Sequence, residues 1–247
     1  MILLSDNIWE MRNTVKKGKG IFAKKLISAG TVIGDYIGTV IRTADEDTYE
    51  KDNGFYTMYY HDYASIYPTD VSKPGLHIIN HSCTPNTWMY SYRGHTLYFA
   101  IRAIFPGEEL TVSYLLSPLD DTCEVCTHHC ACESPVCTKT MHLSQKEYKK
   151  WKAYDDALSK KTKRERIRYG KVLPLLSEYP KSIPDHPIYA LYGSESVSPV
   201  TVKEKTLPSV SKIRKRIRET GRTLLFPALK KRVLGVQDDI IISEQLQ

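Results

Sequence analysis

Three short stretches of this 247-residue chain carry residues of types and spacings that do chemistry. GLHIINHSCTPN delivers Asn80, His81 and Cys83 together from the end of an apolar run. Core strands rarely stop so abruptly in polar groups, and surface loops rarely begin so apolar. GEELTVSY ends on Tyr114, and KGKGIF sets Gly18 and Gly20 on either side of Lys19. Glycines at that spacing let a backbone pass close to a ligand, although an ordinary turn uses them too.

A fourth stretch, CEVCTHHCACESPVC, is a metal-ligand pattern. Cys130, Cys132 and Cys137 are spaced Cys-x-Cys-x4-Cys, three corners of a tetrahedral thiolate site that needs a fourth. Cys83 is the one cysteine outside the cluster and supplies that corner if the two segments meet. Cys123 and Cys126 form an additional Cys-x2-Cys, and His128 and His129 lie between it and Cys130, so a self-contained site of Cys123, Cys126 and two later cysteines is the alternative. Metal ligation is favoured over disulfides because the opening MILLSDNIWEM has too short an apolar run for a signal peptide, which points to a reducing compartment, nuclear or cytoplasmic and not secreted.

The elements that must position these groups are mostly strands. Short β-branched runs punctuated by Gly and Ser span GIFAKKLISAGTVIGDYIGTVI, and HTLYFAIRAIFPGEELTVSY reads as strand, turn at Pro106-Gly107, strand. Residues 45–75 are tyrosine-rich and less regular. From Ser144 the composition changes: residues 144–176 read as helix opened by a Ser144/Glu147 capping box, residues 180–210 as a Pro/Ser-rich linker, and residues 211–234 as a broken basic helix. Charge divides likewise, with 12 Lys+Arg against 16 Asp+Glu over residues 1–144 and 23 against 12 beyond. The acidic front suits a cationic substrate, and the basic rear suits nucleic acid, an acidic partner or nuclear import. No run approaches the ~20 apolar residues of a membrane span.

In their order, these stretches resemble the SET-domain protein lysine methyltransferases: the Gly-x-Gly opening with a following Tyr-x-Gly (Tyr36, Gly38), the Asn-His-Ser-Cys-x-Pro-Asn run, Gly-Glu-Glu-Leu-Thr before a tyrosine, and a post-SET cysteine element. The resemblance covers about residues 12–143 and names nothing beyond. It implies a mainly β, SET-like fold of β-clip type, with the INHS segment threaded knot-like beneath the closing tyrosine segment, and an α-helical basic C-terminal extension. It divides the chain into a SET plus post-SET catalytic domain, 1–143, with the zinc cluster at about 123–137, and the extension, 144–247.

The activity implied is methyl transfer from S-adenosylmethionine to a protein lysine, histone or nucleosome by family analogy. Gly18, Lys19, Gly20, Tyr56, Asn80 and His81 would bind the cofactor. Tyr114 would be the catalytic tyrosine and Tyr36 a wall of the lysine channel. Zinc would sit on Cys83, Cys130, Cys132 and Cys137. The sequence departs from the family pattern at His77, where many relatives carry Arg, at Val112, two before Tyr114, with Trp88 or Met89 as candidates to fill the space, and at Thr140, where relatives often carry an aromatic. An inactive SET scaffold and a zinc-stabilised nucleic-acid-binding protein acting through its basic half are the rival readings.

Overall fold

The computed structural model describes residues 1–61, 63–119, 126, 128–134, 137–159 and 168–183. Ten short strands dominate: β1 (Trp9–Asn13), β2 (Lys19–Ala23), β3 (Val32–Asp35), β4 (Thr39–Arg42), β5 (Met58–His61), β6 (Ala64–Tyr67), β7 (Asn80–His81), β8 (Thr87–Tyr92), β9 (His95–Ala100) and β10 (Thr111–Val112). Two helices are described, α1 (Glu46–Asn53) and α2 (Gln145–Ser159). The mainly β expectation holds.

The strands form four small sheets: β1-β2, β3-β9-β8, β4-β6-β5 and β10-β7. All pair antiparallel except β7 with β10, a parallel pair matching Asn80 to Thr111 and His81 to Val112. A parallel pair needs a long crossover connection, and β8 and β9 lie within it. Two of the motifs, whose paired residues are 31 apart in sequence, thereby become neighbours. One core holds Ile21, Ile33, Tyr36, Ile66, Ile79, Tyr98 and Val112; a second holds Val32, Trp88, Leu97, Phe99 and Ile183.

Gly38 meets its Tyr-x-Gly role by close approach, since a Cβ there would strike the Tyr67 carbonyl. The tyrosine-rich region is more ordered than its sequence suggests. Its helix α1 carries Glu46 and Asp47 in the first turn and Lys51 in the last, and stops at Gly54 with φ +96°. Those charges suit the helix dipole, and a left-handed C-cap suits glycine.

The capping box forms: Ser144 N donates to Glu147 Oε2 at 3.0 Å, and Glu147 N donates to Ser144 Oγ at 3.3 Å. The helix expected over 144–176 does not persist to its end. Residues 168–183 cross the β core as an extended strap, turning at Gly170 with φ +76°. Val40 N donates to Lys171 O at 2.9 Å, Leu173 N to Gly38 O at 2.9 Å, and Ile183 N to Gly30 O at 2.8 Å. Leu173 and Ile183 are buried. The strap replaces helix because a left-handed glycine and Pro174 stop the pattern, while β4 offers unpaired backbone groups. The linker beyond residue 183 and the basic segment 211–234 lie outside the described residues.

Candidate active site

Asn80 lies on β7, and its side-chain amide donates to Lys19 O at 2.9 Å and to Glu109 Oε1 at 2.8 Å. Glu109 Oε2 accepts from Lys17 Nζ. The Gly-x-Gly turn and the GEEL turn are therefore clamped to one amide nitrogen. Gly20 is required there: a Cβ would stand 2.7 Å from Glu109 Oε1 and 3.0 Å from Asn80 Nδ2. Gly18 plays a different part, taking φ +68° with open space around it. The Lys19 side chain does not take part in this clamp; its backbone carbonyl does.

His81 is buried beside β10. Its Nδ1 accepts from Tyr114 N at 3.2 Å, and the two rings meet edge to face at 5.3 Å. Burial lowers the His81 pKa to about 4, so the ring is neutral, as an acceptor Nδ1 requires. Tyr114 Oη donates to Ile79 O at 3.3 Å, which fixes the phenol across the end of β7. Tyr114 remains 39% exposed. Its pKa is pushed up to about 12, chiefly by desolvation.

A wall of tyrosines surrounds Tyr114. Tyr36 is buried, donates to the Tyr56 carbonyl and faces Tyr98 at 6.4 Å between ring centroids. Burial raises the pKa of both Tyr36 and Tyr98 well above the ordinary phenol value. Tyr56 stacks edge-on against His77 at 5.1 Å, so the residue standing where many relatives carry Arg packs against an aromatic. Val112 is fully buried, and Met89 packs against the cluster containing Val112, Tyr36 and Tyr98. Trp88 points into the second core instead.

The metal-ligand cysteines converge. The Sγ atoms of Cys83, Cys130, Cys132 and Cys137 all lie within 4.8 Å of one another, with Cys83 and Cys130 3.6 Å apart. Thiolates at about 2.3 Å around a tetrahedral ion stand about 3.8 Å apart, so the four sulfurs are grouped closely enough to hold one zinc ion. The self-contained alternative drawing on Cys126 is not the arrangement seen, since Cys126 lies with His128 and His142. Cys123 is outside the described residues.

Sequence reasoning did not single out Lys17, Tyr98 or Glu109. Glu109 was visible inside GEEL, but its partners are 29 and 92 residues away. Tyr98 sits in β9, a strand buried along its whole length, where nothing local sets it apart.

The SET domain family model matches residues 18–115. The chain is 32% identical over 145 residues to "Histone-lysine N-methyltransferase trr" of Drosophila melanogaster, covering 56% of this chain and 6% of that protein. It is 37% identical over 121 residues to "Histone-lysine N-methyltransferase, H3 lysine-9 specific" of Schizosaccharomyces pombe, covering 42% of this chain and 25% of that protein. A solved structure of KRYPTONITE in complex with mCHG DNA and SAH aligns with TM-score 0.45 and 28% identity, over 54% of this chain and 29% of that one. The chain thus spans a quarter or less of these curated relatives. The matched segment begins at the Gly-x-Gly turn, contains the β7/β10 pair and ends one residue past Tyr114, and over that segment the chain is similar to the SET domain family.

Proposed function

We propose that this chain is an S-adenosylmethionine-dependent protein lysine N-methyltransferase. The observation that carries the reading is the β7/β10 pair, which holds Asn80 and His81 beside a tyrosine hydroxyl anchored on the Ile79 carbonyl. Relatives named as histone-lysine N-methyltransferases support it.

S-adenosylmethionine, when bound, supplies a methyl group on a sulfonium sulfur. The residues fit such a group: glycines keep Cβ atoms out of the clamp, and aromatic faces suit a cation. Asn80 and His81, with Gly18, Lys19 and Gly20, would hold the cofactor largely through backbone groups, and Tyr56 would stand beside it. Tyr36, with Tyr98 behind it, would wall the channel for the target lysine. An amine in water is protonated, with a pKa of about 10.4; an apolar aromatic channel next to a positive charge lowers it. Tyr114, with its proton held to about pH 12, is no base at neutral pH. Its hydroxyl would orient the reacting groups as a fixed dipole, and alignment supplies most of the rate in an in-line displacement.

Zinc on Cys83, Cys130, Cys132 and Cys137 would pin the end of β7. A histone lysine is the first candidate substrate, which would place the protein in the nucleus. The acidic front half suits a basic protein tail. Nucleic acid would engage the basic rear half. Among the described residues no helix is long and apolar enough to cross a membrane.

The test is incubation with radiolabelled S-adenosylmethionine and core histones, nucleosomes or total cell extract, with Tyr114→Phe as control. Label on a defined protein band, lost in the variant, supports the reading. Absence of label together with absence of cofactor binding by calorimetry overturns it.

A further inference from the structure

Cys126, His128 and His142 bring one thiol and two imidazoles together away from the four-cysteine cluster. One donor atom from each lies within 4.8 Å of the others. Cys126 Sγ is 3.3 Å from His142 Nε2 and 3.7 Å from His128 Nδ1. Zinc bonds of about 2.3 Å to sulfur and about 2.0–2.1 Å to nitrogen, set at a tetrahedral angle, separate the donors by about 3.5 Å. The observed spacings straddle that figure.

The imidazole of His142 is oriented for ligation. Its Nδ1 stands 2.6 Å from the Ser117 carbonyl, which only accepts, so Nδ1 carries the proton and Nε2 presents its lone pair toward Cys126. A backbone carbonyl accepting from the far nitrogen is the usual support of a metal-bound histidine. The backbone around His128 and His142 is also held in place: Met141 N donates to His128 O at 2.9 Å, Leu143 N to Leu116 O at 3.1 Å, and Cys130 N to Lys139 O at 3.0 Å.

We infer that Cys126, His128 and His142 form a second zinc site, separate from the four-cysteine site. One thiolate and two imidazoles are a borderline donor set, which suits zinc over the hard cations magnesium and calcium. Three protein ligands leave the fourth position to water or to a further side chain. Cys123 precedes Cys126 in a Cys-x2-Cys spacing, but it lies outside the described residues and the site stands without it. The role is structural. His142 reaches the chain at Ser117, three residues after Tyr114, so this ion would clip the segment leaving the tyrosine to the loop carrying the first zinc.

The test is a zinc count on the full chain by mass spectrometry, joined to X-ray absorption at the zinc edge. Two zinc ions per wild-type chain, imidazole scattering in the spectrum, and one ion with a purely sulfur shell in Cys126→Ser/His142→Gln are the expected results. One ion per wild-type chain overturns the inference whatever its ligands, as does a double variant that keeps two. Should the double variant not fold, the wild-type count and its imidazole signal decide alone. None of these readouts uses methyl transfer, so failure of the proposed activity would leave them untouched.

Discussion

The Asn80 side-chain amide donates to Glu109 Oε1 at 2.8 Å, and through that bond two stretches of the candidate site hold each other. Glu109 also carries the Lys17 ion pair, whose side chains are 18% and 12% exposed. Replacing Glu109 with Ala leaves the Asn80 amide with Lys19 O alone and frees the Gly-x-Gly turn. Hydrogen bonds to charged groups are worth roughly 1.5–3 kcal/mol. Glu109→Ala should therefore weaken S-adenosylmethionine binding by about tenfold to a hundredfold, read by calorimetry. Unchanged affinity would remove the clamp from the cofactor site.

Tyr114→Phe should retain cofactor affinity and lower the methylation rate on the order of 10²–10³-fold, the usual cost of one fixed polar group at a reacting centre. The pH profile separates orientation from base catalysis. With its pKa near 12, the Tyr114 hydroxyl stays protonated throughout the accessible range. The rate should rise with pH as the substrate amine loses its proton, with no falling limb from Tyr114 below about pH 11. The Phe variant should trace the same shape at lower height. A limb present in wild type and absent in the variant would make Tyr114 a titrating catalyst.

How much of this arrangement the sequence could reveal depended on distance along the chain. The Ser144/Glu147 box was readable because its partners are three residues apart. The convergence of Cys83 with Cys130 spans 47 residues, yet it was legible because three cysteines demand a fourth. Neither logic reaches Glu109, whose charge is as common on a solvated surface as in a clamp. The strap over 168–183 was hidden for another reason. Its backbone pairs with β4 regardless of side chains, and two buried residues ten apart, Leu173 and Ile183, give little periodicity to read.

Burial of tyrosine also predicts how the fold fails in alkali. Burial raises the Tyr36 and Tyr98 phenols well above 10 and that of Tyr179 to about 12. An unfolded tyrosine releases its proton near pH 10. The native state then holds protons that the unfolded state has lost, so the stabilisation is complete below about pH 10 and disappears as pH rises through the folded values. Thermal midpoints should decline above about pH 10. Phenolate absorbance from this group should appear together with the loss of circular dichroism. Early ionisation of the whole set within an intact fold would contradict the packing described.

Arg102 and Glu108 form an ion pair whose side chains are only 4% and 3% exposed, with Nη1 to Oε2 at 2.7 Å. Glu108 Oε2 also accepts from Phe105 N at 3.1 Å, which shapes the turn leading into GEEL. Glu108→Ala strands a buried guanidinium and should cost about 3–5 kcal/mol, measured by urea unfolding. Arg102→Met together with Glu108→Leu should recover much of that loss, since apolar isosteres relieve the desolvation. If the double variant is as unstable as the single one, the pair contributes more than desolvation arithmetic allows.

Cys83 lies with Cys130, Cys132 and Cys137, so removal of the zinc proposed on these four cysteines should be felt at Asn80 and His81. A structural zinc contributes its binding energy to folding. Cys83→Ser, or chelation of the wild type, should lower the thermal midpoint on the order of 10 °C. Hydrogen exchange should accelerate first across residues 128–142 and next at Ser82, whose N–H donates to Val112 O at 2.9 Å. Cofactor affinity should drop in parallel, because the β7/β10 pair loses the anchor at one end. Faster exchange confined to residues 128–142, with β7 and cofactor binding untouched, would mean that the zinc organises its own loop and that the parallel pair stands without it.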